Sequence, residues 1–421
     1  MPPPAPRSSS ETVIVGMSGG VDSAVAALIL RDAGCAVQGL FMSNWDEDDD
    51  AYCTGAADFQ DARQVCETLG IPLHRVSFAQ EYRERVFARF LREYAAGRTP
   101  NPDVLCNREV KFGVCLDYMH RLGAAKMATG HYARLLPSGD GVRLLKAVDR
   151  TKDQSYFLHA VTPAALADTL FPLGEMSKTE VRRRAHAAGL RVFDKPDSTG
   201  ICFIGERPFR EFLGRYLDSS AGPIEDACGK VIGEHRGLAF YTLGQRSGIG
   251  VGGRAGAAEA PWYVAAKDAR RNALIVVQNH EHPLLMCDYF EVEEMRWLVS
   301  PAVLDLDAEG AEFECAVKTR YRQSDLACRM RRAAGDRLQV SLRRQARAVT
   351  PGQYAVFYAD EVCIGGGVIA DRRAPSASAP VPVSAATAAA KTAATATTAA
   401  TTAPAGEAVF SYNSSFVLEG S

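Results

Sequence analysis

The chain has 421 residues, 47% of them hydrophobic and 23% charged, with a formal net charge of −2. That composition excludes a collagenous or wholly disordered chain, and the length predicts roughly two to four globular domains. Apolar runs such as Ala24 to Leu30 fall far short of the about 18 residues a membrane span requires, and MPPPAPRSSS lacks the apolar stretch of a secretory leader. The expectation is a cytoplasmic protein without a membrane partner. Eleven cysteines without a CxxC pair fit a reducing compartment and argue against a disulfide framework or structural zinc.

After a proline-rich lead (residues 1–11), Thr12 to Gly16 reads as a buried strand, followed by a glycine turn and a helix from about Asp22 to Ala33. A strand over Ala36 to Ser43, a helix over Asp58 to Leu69, a strand over Leu73 to Val76, a helix over Gln80 to Ala96 and a strand over Ala125 to Gly130 continue the alternation. This predicts an α/β domain over residues 12–222, with a parallel sheet that receives ligands at its carboxyl edge. From Ile224 the texture shifts to short runs (KVIGEH, LAFYTLGQ, WYVAAKD, ALIVVQN) expected to form a small, mainly β central domain with antiparallel pairing, residues 223–300. FECAVKTRY, RLQVSLRR and YAVFYA predict a C-terminal β-barrel over residues 301–373. The Ala/Thr-rich residues 374–421 read as a disordered tail.

The net charge hides a local excess, since ten basic residues stand against two acidic ones between Cys315 and Thr350. Strands carrying Lys318 to Arg347 are therefore candidates for nucleic-acid phosphates. The first chemical motif is Gly16-Met17-Ser18-Gly19-Gly20-Val21-Asp22-Ser23, between strand and helix. Glycines let the backbone approach a phosphate, Ser18 and Ser23 supply hydroxyls, and the helix start supplies unpaired amides. It is an anion cradle with neither the GxxxxGK[ST] spacing of a Walker loop nor a dinucleotide fingerprint.

Two cysteine motifs follow, Asn101-Pro102-Asp103-Val104-Leu105-Cys106-Asn107 and Asp197-Ser198-Thr199-Gly200-Ile201-Cys202-Phe203-Ile204-Gly205. Pro102 predicts a helix beginning near Asn107, so Cys106 would lie at a helix start, where a thiolate is stabilised. Asp103 is placed to move protons, with an ordinary helix cap as the alternative. Cys202 sits in a loop-forming context able to meet another protein or Cys106. The acidic run Asp46 to Asp50 could attract Mg²⁺, but the preferred reading is a solvated loop.

Together GMSGGVDS, LFMSNW, NPDVLCN, EVKFG, ATGHYAR, KDQSYFL, STGICFIGER, FYTLGQR, KTRYRQ and PGQ resemble, in order, the tRNA-specific 2-thiouridylase (MnmA) family, over about Thr12 to Ala370. The resemblance implies a PP-loop N-type ATP pyrophosphatase (Rossmann-like) domain followed by the two β domains. It implies ATP on Gly16, Met17, Ser18, Gly19, Gly20, Val21, Asp22, Ser23, Met42 and Gly130, with Mg²⁺ at its phosphates. Asn101, Pro102 and Asp103 match the segment at the target base. His131, Lys152, Asp153, Gln154, Arg320, Tyr321 and Gln353 match tRNA contacts. Cys106 matches the nucleophile, Cys202 the persulfide carrier and Asp103 the acid/base; Cys53 matches a family feature without an assigned role. The implied reaction is 2-thiolation of the wobble uridine of tRNAs for Lys, Glu and Gln. It would run through adenylation of the C2 oxygen, with a persulfide sulfur-donor protein and a reductant as partners. Either the persulfide attacks C2 directly or Cys106 releases sulfide from it; both routes end in a Cys106–Cys202 disulfide. An amidating enzyme on the same loop would not require either cysteine, and a non-enzymatic RNA-binding scaffold would not require Ser18, Asp22 or Asp103.

Overall fold

The computed structural model describes residues 11–45, 55–139, 141–197, 209–217, 220–251 and 260–373. Cys53, Cys202, the Asp46 to Asp50 run and the Ala/Thr-rich tail lie outside these residues. The N-terminal half is built on strands β1 (Thr12–Met17), β2 (Ala36–Ser43), β3 (Leu73–Ser77) and β4 (Lys126–Ala128). A hairpin of β5 (Ala133–Ser138) and β6 (Gly141–Lys146) and the short strand β7 (Thr169–Leu170) follow. Five of these form a parallel sheet in the order β3-β2-β1-β4-β7. Val13, Ile14 and Val15 are fully buried, as both faces of a central parallel strand must be. Burying each such side chain stabilises the fold by about 1.5–3 kcal/mol.

Helices α1 (Val21–Asp32), α2 (Gly55–Leu69), α3 (79–95), α4 (102–121) and α5 (Lys178–Ala187) cover the sheet. Alanines 24, 26 and 27 of α1 are fully buried, and their small side chains let the helix lie close on β1. Helix α4 begins at Pro102, not near Asn107. Asn101 caps it by accepting from the Asp103 backbone N–H at 3.2 Å, and Pro102 fills the first helical position, where no N–H is needed. Cys106 therefore opens the second turn, at the start of a widened stretch, Cys106–Val114, that breaks at Gly113.

The central sheet has the order β10-β11-β8-β9, from β8 (Gly222–Glu225), β9 (Val231–His235), β10 (Trp262–Asp268) and β11 (Ala273–Gln278). Two expectations fail here. Strand β8 runs parallel to β11, and LAFYTLGQ folds into a short turn at Leu238–Phe240 followed by loop, because its glycine takes a positive φ and its carbonyls bond locally.

The barrel contains β12 (Met286–Trp297), β13 (Glu312–Lys318), β14 (Leu326–Arg332), β15 (Leu338–Arg347), β16 (Tyr354–Ala359) and β17 (Val362–Arg373). The order β12-β15-β14-β13-β16-β17 closes through β12–β17 pairing. Strand β12, expected in the central domain, thus belongs to the barrel sheet, since only its pairing with β15 and β17 removes both open edges. The β5–β6 hairpin of the N-terminal half joins the same sheet, with Leu145 opposite Val362. The barrel is thereby fastened to the segment that carries the site.

Candidate active site

The cradle from Gly16 to Ser23 leaves the carboxyl end of β1 and enters α1. Gly20 is the helix cap and offers no side chain to the first-turn amides, which are left for an anion. The loop is tied internally: Ser23 Oγ accepts from the Ser18 N–H at 3.1 Å and donates to Gly20 O at 3.1 Å, with Ser18 Oγ at 3.2 Å. Gly19 has φ +75°, and a Cβ there would fall 2.3 Å from Asp58 O. Gly130, after β4, lies so close that a Cβ would come 2.6 Å from the Ser23 amide and cover the helix start. These close approaches pack the loop against α2 and set Gly130 beside the start of α1. Met42, the second-last residue of β2, comes directly after Phe41, which pairs with Met17 of the cradle.

Sequence reading missed the ionic frame around this loop. Asp22 accepts from Tyr132 Oη and from Lys178 Nζ, each at 2.8 Å. Lys178 also meets Asp197 at 2.7 Å, and Asp197 meets Lys152 at 2.7 Å. Partial burial pushes Asp197 up, but hydrogen bonds from Lys152 and Lys178 outweigh it and hold the carboxyl at about 2. Lys195 Nζ donates to Gly19 O at 3.1 Å and to Asp58 at 2.7 Å, tying the loop to α2. Nothing local in the sequence links Lys178 to a residue 156 positions earlier.

Cys106 lies in the core at 1% exposure, with its sulfur 3.9 Å from Asn44 Nδ2, just beyond the end of β2. Asp103 precedes it by one turn on the same helix face. Burial raises the Asp103 carboxyl above its ordinary value, and the Lys111 charge offsets this in part. Burial together with Lys111 pushes His131 well below its ordinary value, so its ring is neutral, with Nδ1 2.8 Å from Thr129 Oγ1. Lys111, in EVKFG, thus bears on both Asp103 and His131, a role no spacing signalled.

Four residues expected at tRNA meet around one cavity of about 420 Å³, lined by Asn101, Arg320, Tyr321 and Gln353 with Thr242 and Gln245 of the central domain. Gln353 Nε2 donates to Thr99 O at 2.7 Å, fixing the approach to Asn101. The other expected contacts divide. Lys152 is bound to Asp197, and Gln154 Oε1 accepts from the Tyr132 N–H. Asp153 faces the interior at 3% exposure, accepting from Ala147 N–H, Ser155 and Lys318, so its carboxylate is an internal anchor and not a surface contact. The basic strands are also corrected. Arg329 and Arg343 pair with Glu314, Arg320 donates to the carbonyls of Leu243 and Ala348, and Arg347 to those of His280 and Gly244. Acidic partners from neighbouring strands absorb an excess that looked free along the chain, whereas Arg322 and Arg344 remain exposed.

Three family descriptions match in succession: "tRNA methyl transferase HUP domain" over residues 11–206, "tRNA methyl transferase PRC-barrel domain" over 210–278 and "Aminomethyltransferase beta-barrel domain" over 287–369. The chain is 53% identical over 369 residues to the tRNA-specific 2-thiouridylase MnmA of Ralstonia nicotianae, covering 87% of this chain and 98% of that protein. It is 54% identical over 371 residues to the MnmA of Methylococcus capsulatus, covering 87% and 99%. The chain belongs to the tRNA-specific 2-thiouridylase (MnmA) family. In this thiouridylase-family chain, cradle and thiol occupy one sheet edge: β1 delivers the cradle, and Asn44, the residue that follows β2, lies 3.9 Å from the Cys106 sulfur. No helix among the described residues is long and apolar enough to cross a membrane.

Proposed function

We propose that this chain catalyses ATP-dependent 2-thiolation of the wobble uridine in tRNA, with a persulfide on Cys202 as the immediate sulfur source. The observation that carries this reading is the buried Cys106, which follows Asp103 by one turn and touches the end of the strand beside the ATP cradle.

The cradle amides and Lys178 would hold the ATP phosphates, with Mg²⁺ as their counter-ion, while the C2 oxygen of the uracil attacks the α-phosphorus and pyrophosphate leaves. An O-adenylated uracil cannot keep its N3 proton, and Asp103 would accept it. Its raised carboxyl makes it a stronger base than a free aspartate. Sulfur then displaces AMP at C2. In the direct route the terminal persulfide sulfur bonds to C2, and Cys106 attacks Cys202 Sγ, releasing the thiocarbonyl and forming the Cys106–Cys202 disulfide. In the other route Cys106 attacks first, and the freed sulfide adds to C2. Either way a reductant returns two electrons to the disulfide. The cavity around Asn101, Arg320, Tyr321 and Gln353 would take RNA next to the target nucleotide.

Nucleoside mass spectrometry of tRNA incubated with the protein, ATP, Mg²⁺ and a persulfide donor tests the reading. The expected product is 2-thiouridine; pyrophosphate release with no thionucleoside would overturn it.

A further inference from the structure

Asn44, in the LFMSNW segment, lies between the two halves of this chemistry and has no part in the reaction described above. It follows β2 directly, at the carboxyl edge where β1 delivers the cradle. Its Nδ2 donates toward Cys106 Sγ at 3.9 Å, which leaves its Oδ1 as the opposite, accepting end of the amide. That Oδ1 is shielded from solvent and accepts no hydrogen bond among the described residues. Asn107, adjacent to Cys106 and itself 2% exposed, repeats the pattern: its Nδ2 donates to Phe157 O at 3.3 Å while its Oδ1 is buried without a donor. Buried acceptors are ordinarily satisfied. The Asn44 acceptor, on the amide whose nitrogen faces the thiol, is left for a ligand that brings a donor.

We propose that Asn44 reads the target uracil as it binds, accepting its N3–H on Oδ1 while its amide nitrogen holds the Cys106 sulfur; once the C2 oxygen is adenylated, that proton passes to Asp103. This rests on the function proposed above. The chemistry selects the base. In uracil N3 is bonded to C2, the carbon to be thiolated, and carries a proton. In cytosine the same position is an acceptor and would face Oδ1 lone pair to lone pair. An acceptor joined through one planar amide to a donor on the thiol fixes the distance between the N3 edge and the sulfur, so recognition and attack geometry come from one side chain. Mispairing at such a site is rejected because a buried polar group is left unsatisfied.

The test uses the full chain, its Asn44→Ala and Asn44→Asp variants, and tRNA carrying either uridine or 3-deazauridine at the target position. The analogue keeps oxygens at C2 and C4, the latter as the hydroxyl of a 4-hydroxy-2-pyridone, but has C–H in place of N3–H. Wild type should bind the deaza tRNA about tenfold more weakly than the uridine tRNA, and Asn44→Ala should lose that discrimination, as deletion of a specificity contact requires. Asn44→Asp keeps an acceptor and should retain discrimination, but its charge should raise the pH at which Cys106 becomes alkylatable by iodoacetamide. ATP affinity should stay within about twofold in both variants if the cradle is untouched. Equal wild-type affinity for the two tRNAs overturns the proposal, and it does so without any variant having to fold. So does an Asn44→Ala protein that still discriminates. If wild type binds both tRNAs but makes no 2-thiouridine, the proposed function falls and this assignment with it; a thiolating wild type that ignores N3 removes Asn44 alone.

Discussion

The cradle edge and the barrel strands are both rich in cations, yet they use them in opposite ways. In the barrel, Arg329 on β14 pairs with both Glu312 and Glu314 on the antiparallel neighbour β13, and exposed pairs of this kind neutralise charge with little gain in stability. At the cradle, Lys178 is 11% exposed and shared between Asp22 and Asp197, two carboxylates from different segments, beside helix amides that offer an anion site. A cation held by carboxylates next to an anion site is exchangeable, because an incoming phosphate offers it another partner. A cation paired across a barrel strand has already finished its work.

The comparison breaks first at the thiol, which neither group of cations can replace. Cys106→Ser should abolish 2-thiouridine formation, a loss of about 10³-fold or more for a nucleophile, while circular dichroism and melting temperature stay near wild type. Without reductant, wild type should stop after about one turnover, with Cys106 joined to Cys202 in the peptide map. Several turnovers with free thiols would show that the sulfur moves by another route.

Lys178→Met should lower tRNA-dependent pyrophosphate release by about 10–100-fold, as loss of a charged group at a phosphoryl centre does, with tRNA affinity unchanged. Were the residue only a structural tie, the melting temperature would fall and the ATP dependence would not.

The third test is pH. Catalysis by Asp103 needs the carboxylate, and burial raises its protonation range. Activity should therefore fall on the acid side at a pH above the ordinary aspartate value, a limb that Asp103→Asn removes while lowering kcat by about 10²-fold. Retention of the acid limb in the variant would assign it to another group.

The smallest effect sharpens the barrel half. Arg322→Glu, at an exposed arginine, should weaken tRNA binding severalfold and reduce the salt slope by about one. Arg329→Glu, at an arginine already committed to Glu314, should leave both unchanged. Equal responses would mean that the sheet's internal pairs give way to RNA.

Much of the catalytic half was legible because its signals are local. Strand and helix periodicities placed β1, β2 and α1 within a residue or two, and glycine and serine at the turn announced an anion site. Misreadings occurred where a distant partner decides. Pro102 reads equally well as a helix approach or a first helical residue until Asn101 is seen to cap the Asp103 amide. The strand at Met286–Trp297 carries no mark of whether it pairs with the central sheet or with β15 and β17. Asp153 looks like any loop aspartate until Lys318 and the Ala147 amide surround it.

The sequence by itself determined the order of elements and the cradle at the end of β1, because spacing along a chain governs turns, caps and periodic faces; its family resemblance proposed Cys106, Cys202 and Asp103 as the reacting groups. Only the tertiary structure decided which charges are spent. It set Lys178 between Asp22 and Asp197, fastened the barrel to the catalytic half through β6 and β17, and brought Asn44 to the sulfur of a residue 62 positions away. Electrostatic and hydrogen-bond partners are chosen by distance in space, and distance in space is what a linear chain does not carry.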